Sequence, residues 1–203
     1  MNASSSSRAA IAAYIRREAL PVDKYGHQPR LYALTQLIGE DLDYDDDVVY
    51  AAVWLHDLGV FVGHRPENPA ELPRWDNVAH ALEKAPGVLA VAGFPPGKIG
   101  PVLQVIRTHQ ASSEPETIEA TIVRDADILE QLGAVGILRA VSKVGRDTRY
   151  ADFSSVVEVL QRSCSSLPAQ LRLPRSREFA AARIKVLESF LDAAAAEGQP
   201  ALF

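Results

Sequence analysis

The stretch Asp41-Leu42-Asp43-Tyr44-Asp45-Asp46-Asp47-Val48-Val49-Tyr50-Ala51-Ala52-Val53-Trp54-Leu55-His56-Asp57-Leu58-Gly59 opens with five aspartates and passes directly into an apolar run. Carboxylates are favoured where the N–H groups of a first helical turn lack partners, so the acidic part reads as the cap of a buried helix that Gly59 ends. It is not a calcium loop: Asp46 stands where an EF-hand needs glycine, and Ala52 where it needs the bidentate glutamate. His56 follows Val49, Ala52 and Val53 at seven, four and three residues, which turns its imidazole inward with them.

The chain on either side is helical in period. His27, Leu31, Leu34 and Ile38 form one stripe, predicting a helix that starts between Tyr25 and Pro29 and ends at Ile38. Ala9 to Leu20 reads as a short amphipathic helix stopped by Pro21. The Pro-, Asn- and Glu-rich segment from Gly63 to Pro73 reads as a loop that borders a pocket. Asp76 to Ala85 and Gly87 to Ala92 are two helical pieces divided by Pro86, followed by a break at Gly93 to Gly97 and a helix over Ile99 to Gln110. A long helix is expected from about Pro115 to Val144, with others near Phe153 to Arg162 and Arg177 to Ala196 around a turn region at Pro168 to Pro174. There is no internal repeat and no series of alternating runs, so the expected fold is all-α, a helical bundle with its ligand site between facing helices. The expected organisation is a flexible N-terminal tail over residues 1–8, one domain over 9–196, and a C-terminal tail over 197–203.

A chain of 203 residues, 47% hydrophobic and 23% charged, is long enough to bury a core and ordinary for a globular protein. Its net charge of −5 provides no strong positive field for nucleic acid or an anionic membrane surface. Neither a signal peptide nor a transmembrane stretch is read, so a cytoplasmic location is expected; homo-oligomerisation is left open. The single cysteine, Cys164, excludes an internal disulfide and a cysteine-type zinc site, leaving any metal to histidine and carboxylate ligands.

The five histidines are His27, His56, His64, His80 and His109. His109 follows Val102, Val105 and Ile106 at the same intervals that place His56, so it too points inward. A single core histidine is ordinary when a carbonyl satisfies it, but several together ask for a common purpose. At the end of its helix, the adjacent His56-Asp57 pair offers a nitrogen and an anionic oxygen to one divalent ion. By contrast, Asp76, Asn77, Glu83 and Lys84 surround His80 at helical spacing, as on a solvated face, and His64 lies in the loop, where a surface position is the default.

Three stretches carry a resemblance. They are Gly26-His27-Gln28-Pro29-Arg30-Leu31, then Ala51 to Gly59 around His56-Asp57, then Arg124-Asp125-Ala126-Asp127-Ile128-Leu129-Glu130-Gln131-Leu132-Gly133-Ala134-Val135-Gly136-Ile137. In this order they resemble the HD superfamily, metal-dependent phosphohydrolases of all-α fold with a His, a His-Asp pair and a later Asp. Together with Ala180-Ala181-Ala182-Arg183 and Phe190-Leu191, the third stretch is similar to the small stand-alone bacterial HD proteins, although those usually read Asp-Arg-Leu-Asp where this chain has Asp127-Ile128-Leu129-Glu130.

The resemblance implies His27, His56, Asp57 and Asp127 as metal ligands. A helical wheel instead turns Asp125 inward, and two residues apart on a helix the two aspartates cannot face one ion. The assignment here follows the resemblance, with Asp125 expected to support the ligands from behind. Two-metal relatives would add His80 and His109; the polar neighbours of His80 argue against it, so one tightly held ion is expected. Asp57, His109 and Arg30 are the expected catalytic groups, and Arg65 is a further candidate for meeting a phosphate. The implied activity is hydrolysis of a small phosphate ester, a nucleotide or similar, with Mn, Fe, Ni, Co, Mg or Zn as the ion. A di-iron oxygenase of HD type and a non-catalytic HD ligand-binding module are the alternatives.

Overall fold

The computed structural model describes residues 3–145 and 150–198. Nine α-helices and no β-strand occur among them, apart from one isolated bridge between Val62 and Arg65, and the fold is all-α as expected. The chain forms two compact units, Met1–Arg124 and Asp125–Phe203.

The first unit contains α1 (Ala3–Glu18), α2 (His27–Ile38), α3 (Asp46–Leu55), α4 (Asn77–Val91), α5 (Pro96–Thr108) and the first half of α6 (Ile118–Glu130). Its centre is α3, in which every residue from Val48 to Leu55 is buried. A helix that is apolar all round must be covered all round. It packs on α1, α2, α4 and α5. The acidic entry does what its composition predicts: the Asp45 carboxylate accepts from Asp47 N and Val48 N at 3.1 and 3.4 Å, capping the helix. Arg8 of α1 reaches Asp46 and Asp47 at 2.8 and 2.7 Å, and Lys98 of α5 reaches Asp45 and Asp47 at 2.8 and 3.0 Å. The aspartates therefore fasten two neighbouring helices to the start of α3.

Helix α1 starts at Ala3, within the segment whose serines had read as a tail. Ser7 is buried and Arg8 is tied to α3, so tertiary contacts override the weak helix propensity of serine. Pro86 does not divide its segment either: Asn77–Val91 is one helix with the proline inside it. Ala85 and Leu89 are fully buried on either side, and packing of that face holds the helix together across the missing backbone donor.

The second unit contains the rest of α6, then α7 (Gly133–Val141), α8 (Phe153–Ser166) and α9 (Pro174–Gly198), with α7, α8 and α9 packed on one another. Here the long helix expected over Pro115 to Val144 is two. Leu132 is extended and Gly133 has φ +70°, a left-handed conformation that ends one helix and starts the next. A Cβ on Gly133 would also lie 3.0 Å from Arg183 Cβ of α9. Residues 1–2, 146–149 and 199–203 lie outside the described residues, the first and last of these being parts of the expected N- and C-terminal tails.

Candidate metal centre

Two helix ends in the first unit deliver the site. His27 opens α2 directly after a 3₁₀ turn over Val22–Gly26, and His56 follows the last residue of α3. Asp57 comes next, at the entrance to a 3₁₀ turn over Leu58–Val60. His27 and His56 are buried, while the Asp57 side chain is 21% exposed.

His56 Nδ1–H donates to Val53 O at 2.9 Å, which places the lone pair on Nε2. That nitrogen is 3.3 Å from His27 Nε2. Asp57 completes the group, with Oδ2 3.6 Å from His27 Nε2 and Oδ1 3.6 Å from His56 Nε2. One ligand atom from each of the three residues lies within 4.8 Å of the others, the only such His, Cys, Asp or Glu group among the described residues. Two imidazole nitrogens and one carboxylate oxygen converging at this spacing fit a divalent ion, and the carbonyl bond behind His56 is the support that fixes a ligating imidazole.

His109 stands against this group. It follows α5, is buried, and its Nδ1–H donates to Ile106 O at 2.7 Å in the arrangement His56 adopts with Val53. Its ring meets the His56 ring edge to face, with centroids 4.8 Å apart. His27, His56 and His109, each turned inward by its own stripe, therefore lie together. Arg30 is exposed one turn along α2, with its guanidinium over Gly26, where a Cβ would stand 2.8 Å from Nη1.

The turn behind Asp57 is held from outside. Trp75 Nε1–H donates to Gly59 O at 2.7 Å, Val62 N–H donates to Leu20 O at 3.0 Å, and the backbone of Asn77 leaves no room for a Cβ on Gly59. The glycine that reads as a helix stop also permits this close approach.

His80 departs from the solvated-face expectation. It is half-buried beside Trp75, and its Nε2 lies 3.1 Å from His64 Nδ1, while His64 Nε2 lies 3.2 Å from a Glu18 carboxylate oxygen. Burial and the neighbouring His64 both lower the His80 pKa below the ordinary histidine value. The loop histidine, His64, is half-buried as well, with a side chain only 13% exposed. Neither partner was legible from helical spacing, because Glu18, His64 and His80 come from three separate segments.

Asp125 and Asp127 lie on α6 in the second unit. Asp125 is fully buried, and its carboxylate accepts from the backbone N–H of Arg172 at 3.0 and 3.1 Å and of Leu173 at 2.8 Å. It pins the segment leading into α9. Asp127 is half-buried, with Gln131 Nε2 3.4 Å from Oδ2. Glu130, where the resembled proteins usually have aspartate, is buried and pairs with Arg139 at 2.8 Å.

The model of the HD domain matches residues 25–132, just over half of the chain. The chain belongs to the HD-domain family. The matched stretch contains His27, His56, Asp57, His109 and Asp127. No curated protein matches it. Among solved structures it is similar to Bacillus subtilis YpgQ, at 22% identity over all of both chains and a TM-score of 0.74. The complex of YpgQ with ADP gives 23% identity over 99% of each chain and a TM-score of 0.73. An HD-superfamily hydrolase from Bacillus thuringiensis gives 17% identity over 98% of this chain and 100% of that one, with a TM-score of 0.68. These likenesses extend the shared all-α fold over essentially the whole HD chain. No helix among the described residues is long and apolar enough to cross a membrane.

Proposed function

We propose that this HD protein is a metal-dependent phosphohydrolase acting on a small phosphate ester, a nucleotide by preference. The observation that carries the reading is the convergence of His27 Nε2, His56 Nε2 and the Asp57 carboxylate on one point. The family pattern adds Asp127 as the fourth ligand, and the engagement of Asp125 with the Arg172 and Leu173 backbone favours Asp127 over it. A divalent ion in such a donor set supplies Lewis acidity and a nucleophilic water near neutral pH.

The chain's own residues do the rest. Val53 O fixes the His56 tautomer, so the ligand nitrogen needs no reorientation before binding. Ile106 O orients the His109 ring in the same way, which suits it to assist substrate or water beside the metal ligands. Arg30 is exposed one turn beyond His27 and presents a fork suited to phosphate oxygens. The ADP bound by YpgQ, which shares the fold, supports a nucleotide as the substrate class.

The test is phosphate release from a panel of nucleoside mono-, di- and triphosphates by metal-stripped protein, before and after Mn²⁺, Co²⁺, Ni²⁺, Mg²⁺ or Zn²⁺ is restored. The expected result is hydrolysis only with metal, reduced at least 100-fold in His56→Ala. Oxygen uptake by iron-loaded protein with no phosphate release would replace this reading with the oxygenase.

A further inference from the structure

Outside the cluster described above, Glu18, His64 and His80 form a chain of ligand-type side chains contributed by the end of α1, the loop after the 3₁₀ turn, and α4. We propose that His64 Nδ1 and His80 Nε2 hold a second divalent transition-metal ion, with Glu18 orienting His64 from behind.

The spacing fits two ligands of one ion. With metal–nitrogen bonds of about 2.0–2.1 Å, two imidazole nitrogens stand about 2.9 Å apart at a right angle and about 3.3 Å apart at the tetrahedral angle. The observed separation is 3.1 Å. The tautomer fits too. Glu18 Oε2 lies 3.2 Å from His64 Nε2, so that nitrogen carries the proton and Nδ1 presents its lone pair toward His80. A carboxylate on the far nitrogen of a ligating histidine is the usual support of such a ligand. The Glu18 carboxylate is itself held through its other oxygen, 3.1 Å from Arg17 Nε.

The two imidazoles are braced on their other sides. His80 lies against the Trp75 ring at 5.1 Å between centroids, and the His64 ring meets Phe61 at 6.3 Å. Trp75 and Phe61 belong to the segments that clamp the turn behind Asp57. Two imidazoles with water in the remaining positions favour ions that prefer nitrogen, such as Zn²⁺, Ni²⁺ or Cu²⁺, over Mg²⁺ or Ca²⁺. This differs from a two-metal arrangement in which His80 would join His109, since His80 is paired with His64.

The experiment is equilibrium dialysis of the full chain against Zn²⁺, with folding of each variant checked by far-UV circular dichroism. Wild type is expected to hold two ions and His56→Ala one. Adding His80→Gln or His64→Ala to His56→Ala should remove the remaining ion, and adding Glu18→Gln should weaken it about 10–100-fold. His80 is half-exposed, so His80→Gln serves if His64→Ala does not fold. A His56→Ala protein that binds no Zn²⁺, or a His56→Ala, His80→Gln protein that binds as much as His56→Ala, would overturn the second site and leave the two histidines as a hydrogen-bonded pair. Failure of the first site shows differently, as a wild-type count unchanged by His56→Ala.

Discussion

At the scale of single residues, α6 presents two aspartates with different work to do. Asp125 is buried and accepts from the Arg172 and Leu173 N–H groups, so Asp125→Ala removes three charge-assisted contacts that hold the segment before α9. Each such loss costs about 1.5–3 kcal/mol in isolation, and together they are expected to lower stability by about 3–5 kcal/mol in urea unfolding. Asp127→Asn is expected to do the opposite: little change in stability, and loss of nearly all phosphatase activity. An Asp125→Asn protein that is stable but inactive, beside an active Asp127→Asn protein, would reverse the assignment. The inward pointing of His27, His56 and His109 was legible because each shares a stripe with apolar residues at helical intervals. The helical wheel placed Asp125 inside correctly but could not say that backbone donors 47 and 48 residues away would use it.

At the scale of elements, helix ends position the chemistry and glycines set how closely they approach. Gly59→Ala would drive a Cβ into the Asn77 backbone and shift the turn that begins at Asp57. The expected result is a loss of about 1–3 kcal/mol together with weaker metal binding, read by thermal melts and metal titration on the same sample. Gly133→Ala should cost about 1–2 kcal/mol through its left-handed backbone alone and leave metal affinity unchanged. The break at Gly133 was not read from the sequence, whose apolar period runs on through it; in the fold Gly133 is left-handed and Arg183 of α9 passes against it. Pro86 is the converse case, a local helix breaker that the buried faces around Ala85 and Leu89 override.

The fastening of α1 to α2 and α3 carries a pH signature. Arg8 donates to the Tyr32 hydroxyl, which donates to Asp46, each at 2.9 Å. Burial first, and then the bond to Asp46, push the Tyr32 phenol up to about 12. Because the folded value lies above the ordinary 10, this contribution is complete below pH 10 and is lost as the pH rises from 10 toward 12. Urea midpoints are expected to fall across that window. Tyr32→Phe should flatten part of the fall, while Tyr14, Tyr44 and Tyr50, also raised by burial, and Lys98, raised by its bond to Asp45, contribute to the rest. An identical slope in Tyr32→Phe would contradict this account of the fastening.

For the whole molecule, periodicity alone was enough for the all-α class, and the order of His27, His56-Asp57 and Asp127 was enough for the family. Contacts that join segments distant in the chain were not readable in the same way. The Glu18–His64–His80 chain and the clamp behind Asp57 both depend on which helix packs beside which, and no local spacing encodes that. The central claim is that His27, His56 and Asp57 form a divalent-metal centre, and Mn²⁺ tests it most directly because it accepts mixed imidazole and carboxylate ligation. Isothermal titration of metal-stripped protein with Mn²⁺ is expected to show one tight site in wild type and none in a folded Asp57→Asn variant; equal Mn²⁺ binding by the two proteins would contradict the account.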